Sequence, residues 1–463
     1  MIRAGIAYIN MSRKLKIFLI LILQFFYVNN LLAQTTGFAN ITVSGSTSKG
    51  SWSTSGNTFY PSANGATVSV SEIQTRMANG DVIISTACSS CSENGDITIS
   101  SSILSKISNT NANIVVLKFL AERNIFINNQ IDLGLKDGIS EKTARDANSL
   151  EFISQNGNII SSSNGLLKTD PLNDGKAYKG GSINLLALNG SVQINGAITT
   201  KSSTSGGPIT IIGNKGVTIA ANITSSGGTS GILKITDNNS LFSSGTDYSN
   251  QGQTSGVFTI ASFENAGTGV FKIKGINVYS GNTTLSAGSL YLGADNSVPI
   301  TSNIIFNGGD FRPNGFDTKV NSIKVSANST LTFDPLQSSI FTITDIDTTG
   351  PTVNTYLIIR EWQGFSQSTA LTKFGSLENA SSDFVNTNGK LQSAPTPGGL
   401  NQYGQILTSM VSGASGGLKG IFQGTNNRLS DNFLRRIRFY NGTSYYSSTQ
   451  ISSKEIVPNA VIP

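Results

Sequence analysis

The residues best able to do chemistry in this chain are its two cysteines, Cys88 and Cys91, in the segment Ala-Cys-Ser-Ser-Cys. In an oxidising compartment a C-x-x-C pair forms either a small disulfide or two free thiols. A structural zinc site needs four ligands, and there is no second cysteine cluster. Thioredoxin-like redox chemistry needs a βαβ context, which the β-rich flanks do not supply. We expect a disulfide that staples a loop and predict no metal site.

Carboxylates are the second candidate group, because polysaccharide lyases and hydrolases need clustered acids for calcium binding or for acid and base catalysis. The closest groupings are Asp345 with Asp347, Asp334 upstream of them, and Asp170 with Asp174. Asp345 and Asp347 share the alternation of Phe341 and Ile343, which we predict to be buried. We therefore expect the strand to end near Ile343 and both acids to lie in a polar turn.

Histidine is absent from the chain, which removes the commonest general base and metal ligand. We predict no catalytic residue and no cofactor.

The net charge is +6, and the densest basic spot is Arg435, Arg436 and Arg438, interleaved with Leu434, Ile437 and Phe439. That interleaving favours the wet face of a strand over a polyanion site, and the composition does not indicate nucleic-acid binding.

The amino terminus has the pattern of an export signal over residues 1–33. Arg13, Lys14 and Lys16 precede an apolar run of about a dozen residues, which is shorter than the roughly 20 that a membrane-spanning helix needs. Ala33 offers a small residue for cleavage, and Gln34 follows where a lipid-anchored protein would carry cysteine. We expect a secreted or cell-surface protein without a transmembrane span in its mature chain.

The elements that must position these residues are predicted to be short strands. The chain has 49 glycines, 11 prolines and 13% charged residues, as tight polar turns between many strands require. From about residue 40 to 260, β-rich runs end in Asn-Gly, Gly-Gly or Ser-Gly. Two of these runs align at an offset of about 26 residues with a one-residue slip, which is typical of stacked repeats. The columns expected inside contain Ile183, Leu185, Ile209, Ile211, Val217 and Ile219.

Between residues 278 and 335 the alternation of apolar residues changes parity at glycines. Leu285 and Leu290 lie on opposite parities with Gly288 between them, and a similar change occurs across the Asn-Gly-Gly segment that contains Gly308. Glycine permits the positive φ of a tight corner, so we predict turns at both places. One half-buried strand is predicted from Ile323 to Phe333, with Val325 and Leu331 also facing inward.

This stretch resembles the autotransporter-associated β-strand repeat, which implies a right-handed parallel β-helix in a surface or secreted protein and no catalytic residue. The matching residues are Tyr279, Ser280, Gly281, Thr283, Thr284, Leu285, Ala287, Gly288, Leu290, Leu292, Gly293, Asn296, Pro299, Asn307, Gly308, Gly309, Asn314 and Gly315. The end of the chain is similar to that family's closing module, through Trp362, Gly364, Phe374, Gly375, Leu434, Ile437, Phe439, Glu455, Ile456, Val457 and Pro458. The module implies a carboxy-terminal cap, and we expect the long stretch from Leu377 to Asn427 to be poorly ordered.

The region before these repeats resembles filamentous-haemagglutinin-type adhesins. Two segments interrupt its rhythm, Asp132 to Asn148 and Leu166 to Lys179, and we expect both to be protruding loops of the kind that carry binding in repeat proteins.

The predicted fold is therefore all-β, a right-handed parallel β-helix (solenoid) with a carboxy-terminal β cap. Its segments are a signal peptide (1–33), haemagglutinin-like coils (34–265), autotransporter-type coils (266–345) and a closing module with a low-complexity insertion (346–463). We predict an exported adhesin or passenger stalk that binds an extracellular glycan or surface protein without catalysis, served by outer-membrane secretion machinery. A pure spacer is the alternative within that class, and a polysaccharide lyase or hydrolase is the alternative outside it.

Overall fold

The structure is a computed structural model, and it describes most of the chain from residue 37 onward. The described ranges are 37–53, 57–104, 114–134, 146–171, 178–227, 231–239, 252–334, 339–346, 355–360, 404–408, 422–423, 428–429, 434–440, 444–450 and 455–462. Within them the fold is all-β, as predicted, with many parallel strands in stacked sheets. The signal segment 1–33 lies outside the described residues, as does most of the stretch from Leu377 to Asn427.

The described residues of the first part of the chain, from Gly37 to Asn265, form 25 short strands and one helix. In chain order they are β1 (Gly37–Phe38), β2 (Ile41–Ser44), β3 (Gly50–Trp52), β4 (Thr58–Pro61), β5 (Ala66–Ser69), α1 (Val70–Met77), β6 (Val82–Ser85), β7 (Ala87–Cys88), β8 (Ile97–Ile99), β9 (Ile103–Leu104), β10 (Val116–Ala121), β11 (Ile125–Ile127), β12 (Ile131–Asp132), β13 (Ser149–Ser154), β14 (Ile159–Ser161), β15 (Leu167–Lys168), β16 (Ile183–Ala187), β17 (Val192–Ile194), β18 (Ile198–Thr199), β19 (Ile209–Gly213), β20 (Val217–Ile219), β21 (Ile223–Ser225), β22 (Ile232–Asp237), β23 (Gly252–Gln253), β24 (Phe258–Ile260) and β25 (Ser262–Asn265).

The described residues from Val270 onward add 15 further strands. They are β26 (Val270–Ile273), β27 (Asn282–Leu285), β28 (Ser289–Leu292), β29 (Asn303–Asn307), β30 (Asp310–Arg312), β31 (Thr318–Ala327), β32 (Ser329–Thr332), β33 (Ser339–Ile346), β34 (Leu357–Arg360), β35 (Gly404–Thr408), β36 (Phe422–Gln423), β37 (Arg428–Leu429), β38 (Ile437–Tyr440), β39 (Tyr445–Gln450) and β40 (Glu455–Val461).

The first part is built from a repeated unit of three strands, each of which joins a different parallel sheet. The first sheet runs β5-β2-β8-β11-β14-β17-β20-β23, and the second runs β9-β12-β15-β18-β21-β24. The third runs from β6 through β10, β13, β16, β19 and β22 to β25. Each strand therefore pairs with the equivalent strand of the next unit, so no unit completes its hydrogen bonds alone.

The core consists of columns of like residues that these registers align. Ile183 pairs with Ile209 at an offset of 26 residues, and Val192 with Val217 at 25, which confirms the predicted repeat and its slip. The rings of Phe119 and Phe152 stack in such a column, with centroids 5.1 Å apart. All predicted core residues are confirmed as buried: Ile183, Leu185, Ile209, Ile211, Val217, Ile219, Leu285, Leu290, Ile323, Val325, Leu331 and Phe333.

Polar columns run along the corners of the same stack. Asp96 Oδ1 accepts the backbone N–H of Asn124 at 2.8 Å, and Asn124 Oδ1 accepts that of Asn158 at 2.9 Å. Asn158 Oδ1 then accepts the N–H of Ser191 at 2.8 Å. Side-chain oxygens thus satisfy backbone donors where the chain leaves one sheet for the next, because an unpaired buried donor would be costly.

After β25 the repeated unit contains two strands in place of three. One ladder continues β25-β27-β29-β31-β33, and a second runs β26-β28-β30-β32-β34. The predicted corners are confirmed, because Gly288 has φ 57° between β27 and β28 and Gly308 has φ 116° between β29 and β30. Glycine at these corners allows the chain to turn within a few residues, as a unit of only two strands requires.

The single strand predicted from Ile323 to Phe333 is wrong, because the chain forms two strands, β31 and β32, separated by Asn328. The Asn328 Oδ1 atom accepts the backbone N–H of Tyr356 at 2.8 Å, and Ser329 Oγ accepts that of Gly308 at 2.8 Å. These bonds stabilise a corner between β31 and β32. The corner was not predicted because the apolar residues on both sides of it keep the same alternation.

The helix α1 was not predicted from the sequence. Ser69 caps it by accepting the backbone N–H of Glu72 through Oγ at 3.2 Å, and Ile73 and Met77 are buried beneath it. It follows β5, the edge strand of the first sheet, so its apolar face packs onto the core there. The described residues contain no helix that is long and apolar enough to cross a membrane.

At the carboxy-terminal end the pairing changes from parallel to antiparallel. β38 pairs in parallel with β34, whereas β39 pairs antiparallel with both β38 and β40. β40 also pairs antiparallel with β35, so it joins the two ladders. Antiparallel hairpin strands can terminate a ladder within a short length of chain.

Candidate ligand-binding surface

The cysteine pair lies beside β1, the first strand of the described structure. Cys88 and Cys91 form a disulfide, and both are buried beside Ala39. Cys88 ends β7, which pairs antiparallel with β1, and the backbone of Cys91 lies against Gly37. The bond therefore fastens the loop that receives the first described strand. Among the described residues, no three His, Cys, Asp or Glu side chains are grouped to hold a metal ion.

Asp170 is buried at the corner that follows the second sheet. Its Oδ1 accepts the hydroxyl of Thr199 at 2.7 Å and the backbone N–H of Lys201 at 2.8 Å. Burial raises the pKa of this carboxyl, and the Thr199 hydrogen bond opposes the rise. These contacts tie one repeated unit to the next, as polar corners do elsewhere in the stack. Asp174 lies outside the described residues.

Asp345 does not lie in the polar turn that the sequence predicted for it. Strand β33 runs through Asp345 to Ile346, and Asp345 pairs in register with Ser322, so the expected strand end near Ile343 is wrong. The strand extends beyond Ile343 because its backbone continues to pair in parallel with β31 as far as Ile346. Asp347 lies outside the described residues, and Asp334 is half-buried just after β32.

The three arginines near residue 436 have three different environments. Arg435 is exposed, and Arg436 donates through Nη2 to the carbonyl oxygen of Val325 and to Thr355 Oγ1, the latter at 2.9 Å. Both precede β38, so only Arg438 lies on the strand that the sequence predicted for all three. Arg436 acts as a structural tie between β38 and the end of β31.

The second ladder of the carboxy-terminal part presents a surface that sequence reasoning missed. On β28, β30, β34 and β38 the inward positions carry buried Leu, Phe and Ile, and five of the eight outward positions carry arginine or tyrosine, the others being Ser289, Asp310 and Ile358. We call this surface the Tyr–Arg face and define it as Tyr291, Arg312, Tyr356, Arg360, Arg438 and Tyr440. The signal that could have found it is the recurrence of these types at solvent-facing positions of short strands.

Within the Tyr–Arg face each guanidinium lies over a tyrosine ring. The Cζ atom of Arg438 is 3.5 Å from the ring centroid of Tyr356. Arg360 lies 5.5 Å from the ring of Tyr440, and the third pair, Arg312 over Tyr291, is separated by 5.1 Å. Such cation–π contacts hold long side chains in fixed positions on a flat surface.

One acidic residue is integrated into this face. Asp310 Oδ2 accepts a hydrogen bond from Arg312 Nε at 2.5 Å, and its Oδ1 accepts the hydroxyl of Thr332 at 2.8 Å. Burial lowers the pKa of the Arg312 guanidinium, but the Asp310 carboxylate and Tyr291 together outweigh burial, so the pKa is raised. The carboxylate is thus committed to fixing Arg312, which is not the arrangement of a paired acid and base.

No protein-family model matches this chain, and comparisons with curated proteins and with solved structures also found no match. Its function is therefore inferred from its own residues and geometry.

Proposed function

We propose that this chain is an exported surface adhesin or passenger stalk that binds an extracellular glycan or surface protein without catalysis. The Tyr–Arg face carries the proposal, because ordered arginines and tyrosines on a flat sheet suit binding through many polar contacts along a ligand. Among the described residues, the carboxylate beside this face, Asp310, is bound to Arg312, which is not the arrangement that a lyase or hydrolase needs.

The finer architecture belongs to the same proposal. We infer that the stacked parallel sheets form a right-handed parallel β-helix and that the antiparallel strands β38 to β40 are its carboxy-terminal cap. The repeated in-register pairing of equivalent strands supports a solenoid, and the resemblance to autotransporter-associated repeats supports its handedness and export. Outer-membrane secretion machinery would then be a partner of the precursor.

The test is a binding screen of the mature chain on glycans and extracellular proteins, run beside an assay for reducing or unsaturated sugar release from acidic polysaccharides. Saturable binding without release is the expected result. If the original chain releases sugar and the Asp345→Asn variant does not, the adhesin proposal is wrong and the chain is an enzyme. Absence of binding to any glycan or protein would favour a spacer and refute the adhesin proposal.

A further inference from the structure

We propose that the Tyr–Arg face is a binding site for a linear acidic polysaccharide, whose carboxylate or sulfate groups are held by the arginine side chains. This inference rests on the proposed adhesin function and specifies its ligand class. It also identifies the surface that would carry the binding.

The first support is the way in which the arginines are held. A guanidinium that stacks on a ring uses its planar face, so the N–H groups along its edge remain directed outward for bidentate bonds to an anion. Arg438 lies over Tyr356 with its Nε atom buried and without a hydrogen-bond partner among the described residues, and exposed Arg360 lies over Tyr440. A planar carboxylate or a sulfate matches that edge, and little side-chain entropy remains to be lost on binding.

The second support is charge. Arg312 is neutralised by Asp310. Arg360 and Arg438, by contrast, make no ion pair with any residue in the described part of the chain. Arg360 is exposed, and exposed Arg435 lies near Arg438 in the chain. The face therefore offers positive charge that the described residues leave uncompensated, and an anionic partner complements it.

The third support is the spacing of cations along one outward row. The row passes from Lys272 through Tyr291 and Arg312, and then through Thr332 to Arg360. Arg312 is paired with Asp310, so the uncompensated cations of this row are Lys272 and Arg360, which lie four strand spacings, or about 19 Å, apart. Two charges this far apart on one row fit an extended polymer with repeated acidic groups better than they fit a small anion.

The rings also separate this ligand class from single-stranded nucleic acid. Nucleic-acid platforms need open aromatic faces on which bases stack. Here the guanidinium groups of Arg438, Arg360 and Arg312 cover tyrosine faces, so the rings serve as supports for cations. The structure therefore favours an acidic sugar polymer over a nucleobase ligand.

The experiment compares the binding of purified mature chain to polygalacturonate, dextran sulfate, neutral dextran and single-stranded DNA by calorimetry at two salt concentrations. We expect binding to at least one of the two acidic polysaccharides, weakened by salt, and none to neutral dextran. Preference for polygalacturonate identifies carboxylate as the recognised group, and preference for dextran sulfate identifies sulfate.

The double variant Arg360→Gln, Arg438→Gln should weaken that binding by about tenfold or more, because two charge-assisted contacts are lost. The matched control is Lys215→Gln, Lys319→Gln, which removes the same charge at two exposed lysines outside the face and should stay within about twofold of the original chain. Circular dichroism checks folding. If the glutamine variant does not fold, Arg360→Lys, Arg438→Lys replaces it, and it should also bind more weakly because lysine lacks the fork.

Equal losses in the face variant and in the control would overturn the inference, since non-specific charge would then explain binding. Tighter binding to DNA than to both acidic polysaccharides would also overturn it. Binding to neutral glycans or proteins alone would refute the inference and leave the adhesin proposal standing. Absence of all binding would refute both.

Discussion

Asp237, at the end of β22, should make the stability of this protein depend on pH in an unusual direction. The side chain is 1% exposed. Its Oδ2 accepts the backbone N–H of Val217 at 2.8 Å, and its Oδ1 accepts that of Asn239 at 2.9 Å. Burial raises the pKa of Asp237 from 3.8 to about 6, against the opposing effect of both hydrogen bonds. The cost of removing the carboxylate from water therefore outweighs the two bonds.

The sign of the effect follows from proton binding. Between pH 3.8 and about 6 the folded chain keeps the Asp237 proton, whereas the unfolded chain has released it. The free energy of unfolding should therefore fall as pH rises through this window. The rise in the pKa from 3.8 to about 6 corresponds to roughly 3 kcal/mol of folding stability, which is fully lost only above the folded pKa. Paired carboxylates with lowered pKa values would give the opposite trend.

The assay is urea denaturation of the original chain and of Asp237→Asn from about pH 4 to pH 7. Asparagine cannot ionise, so the free energy of unfolding of the variant relative to that of the original chain should rise by roughly 2.5 kcal/mol from pH 4 to pH 7. The matched control is Asp81→Asn, which removes an exposed carboxylate that accepts one backbone N–H, from Val116. Stability curves of the original chain and Asp237→Asn that stay parallel across the range would refute the reasoning.

Three further substitutions test the core, the disulfide and a corner. Ile211→Asp should destabilise the fold by more than about 4 kcal/mol, because it places an unpaired charge in a dry column, whereas Ile211→Val should cost about 1 kcal/mol in the same urea assay. Cys88→Ser should leave ligand binding unchanged and lower stability by at most about 2 kcal/mol, since the closed loop is short; loss of binding in a folded variant would contradict this. Gly288→Ala should cost at least about 2 kcal/mol by thermal unfolding, because φ is 57° and the added Cβ would lie 2.2 Å from a backbone oxygen, while Gly45→Ala, with no atom within 4 Å, should cost much less.

Much of the fold could be predicted because its rules are local. Alternation with a period of two placed Ile209 and Ile211 on the buried face, and a change of parity located the corner at Gly288. The helix after Ser69 was not predicted, although Ser69 and Glu72 match a helix-capping pattern, because the segments on both sides have the residue types of strands. The break at Asn328 was missed because alternation continued across it.

The sequence by itself determined that the chain is built mainly from short strands, which residues of many strands face the core and where some of the corners fall, since these depend on neighbouring residues. Only the tertiary structure decided which strands pair, and hence that the unit shortens from three strands to two after β25. Ladder registers also bring Arg438 over Tyr356 and Arg360 over Tyr440, although the partners are distant in the chain. Hydrogen bonds between whole repeated units set those registers, so no local pattern contains them.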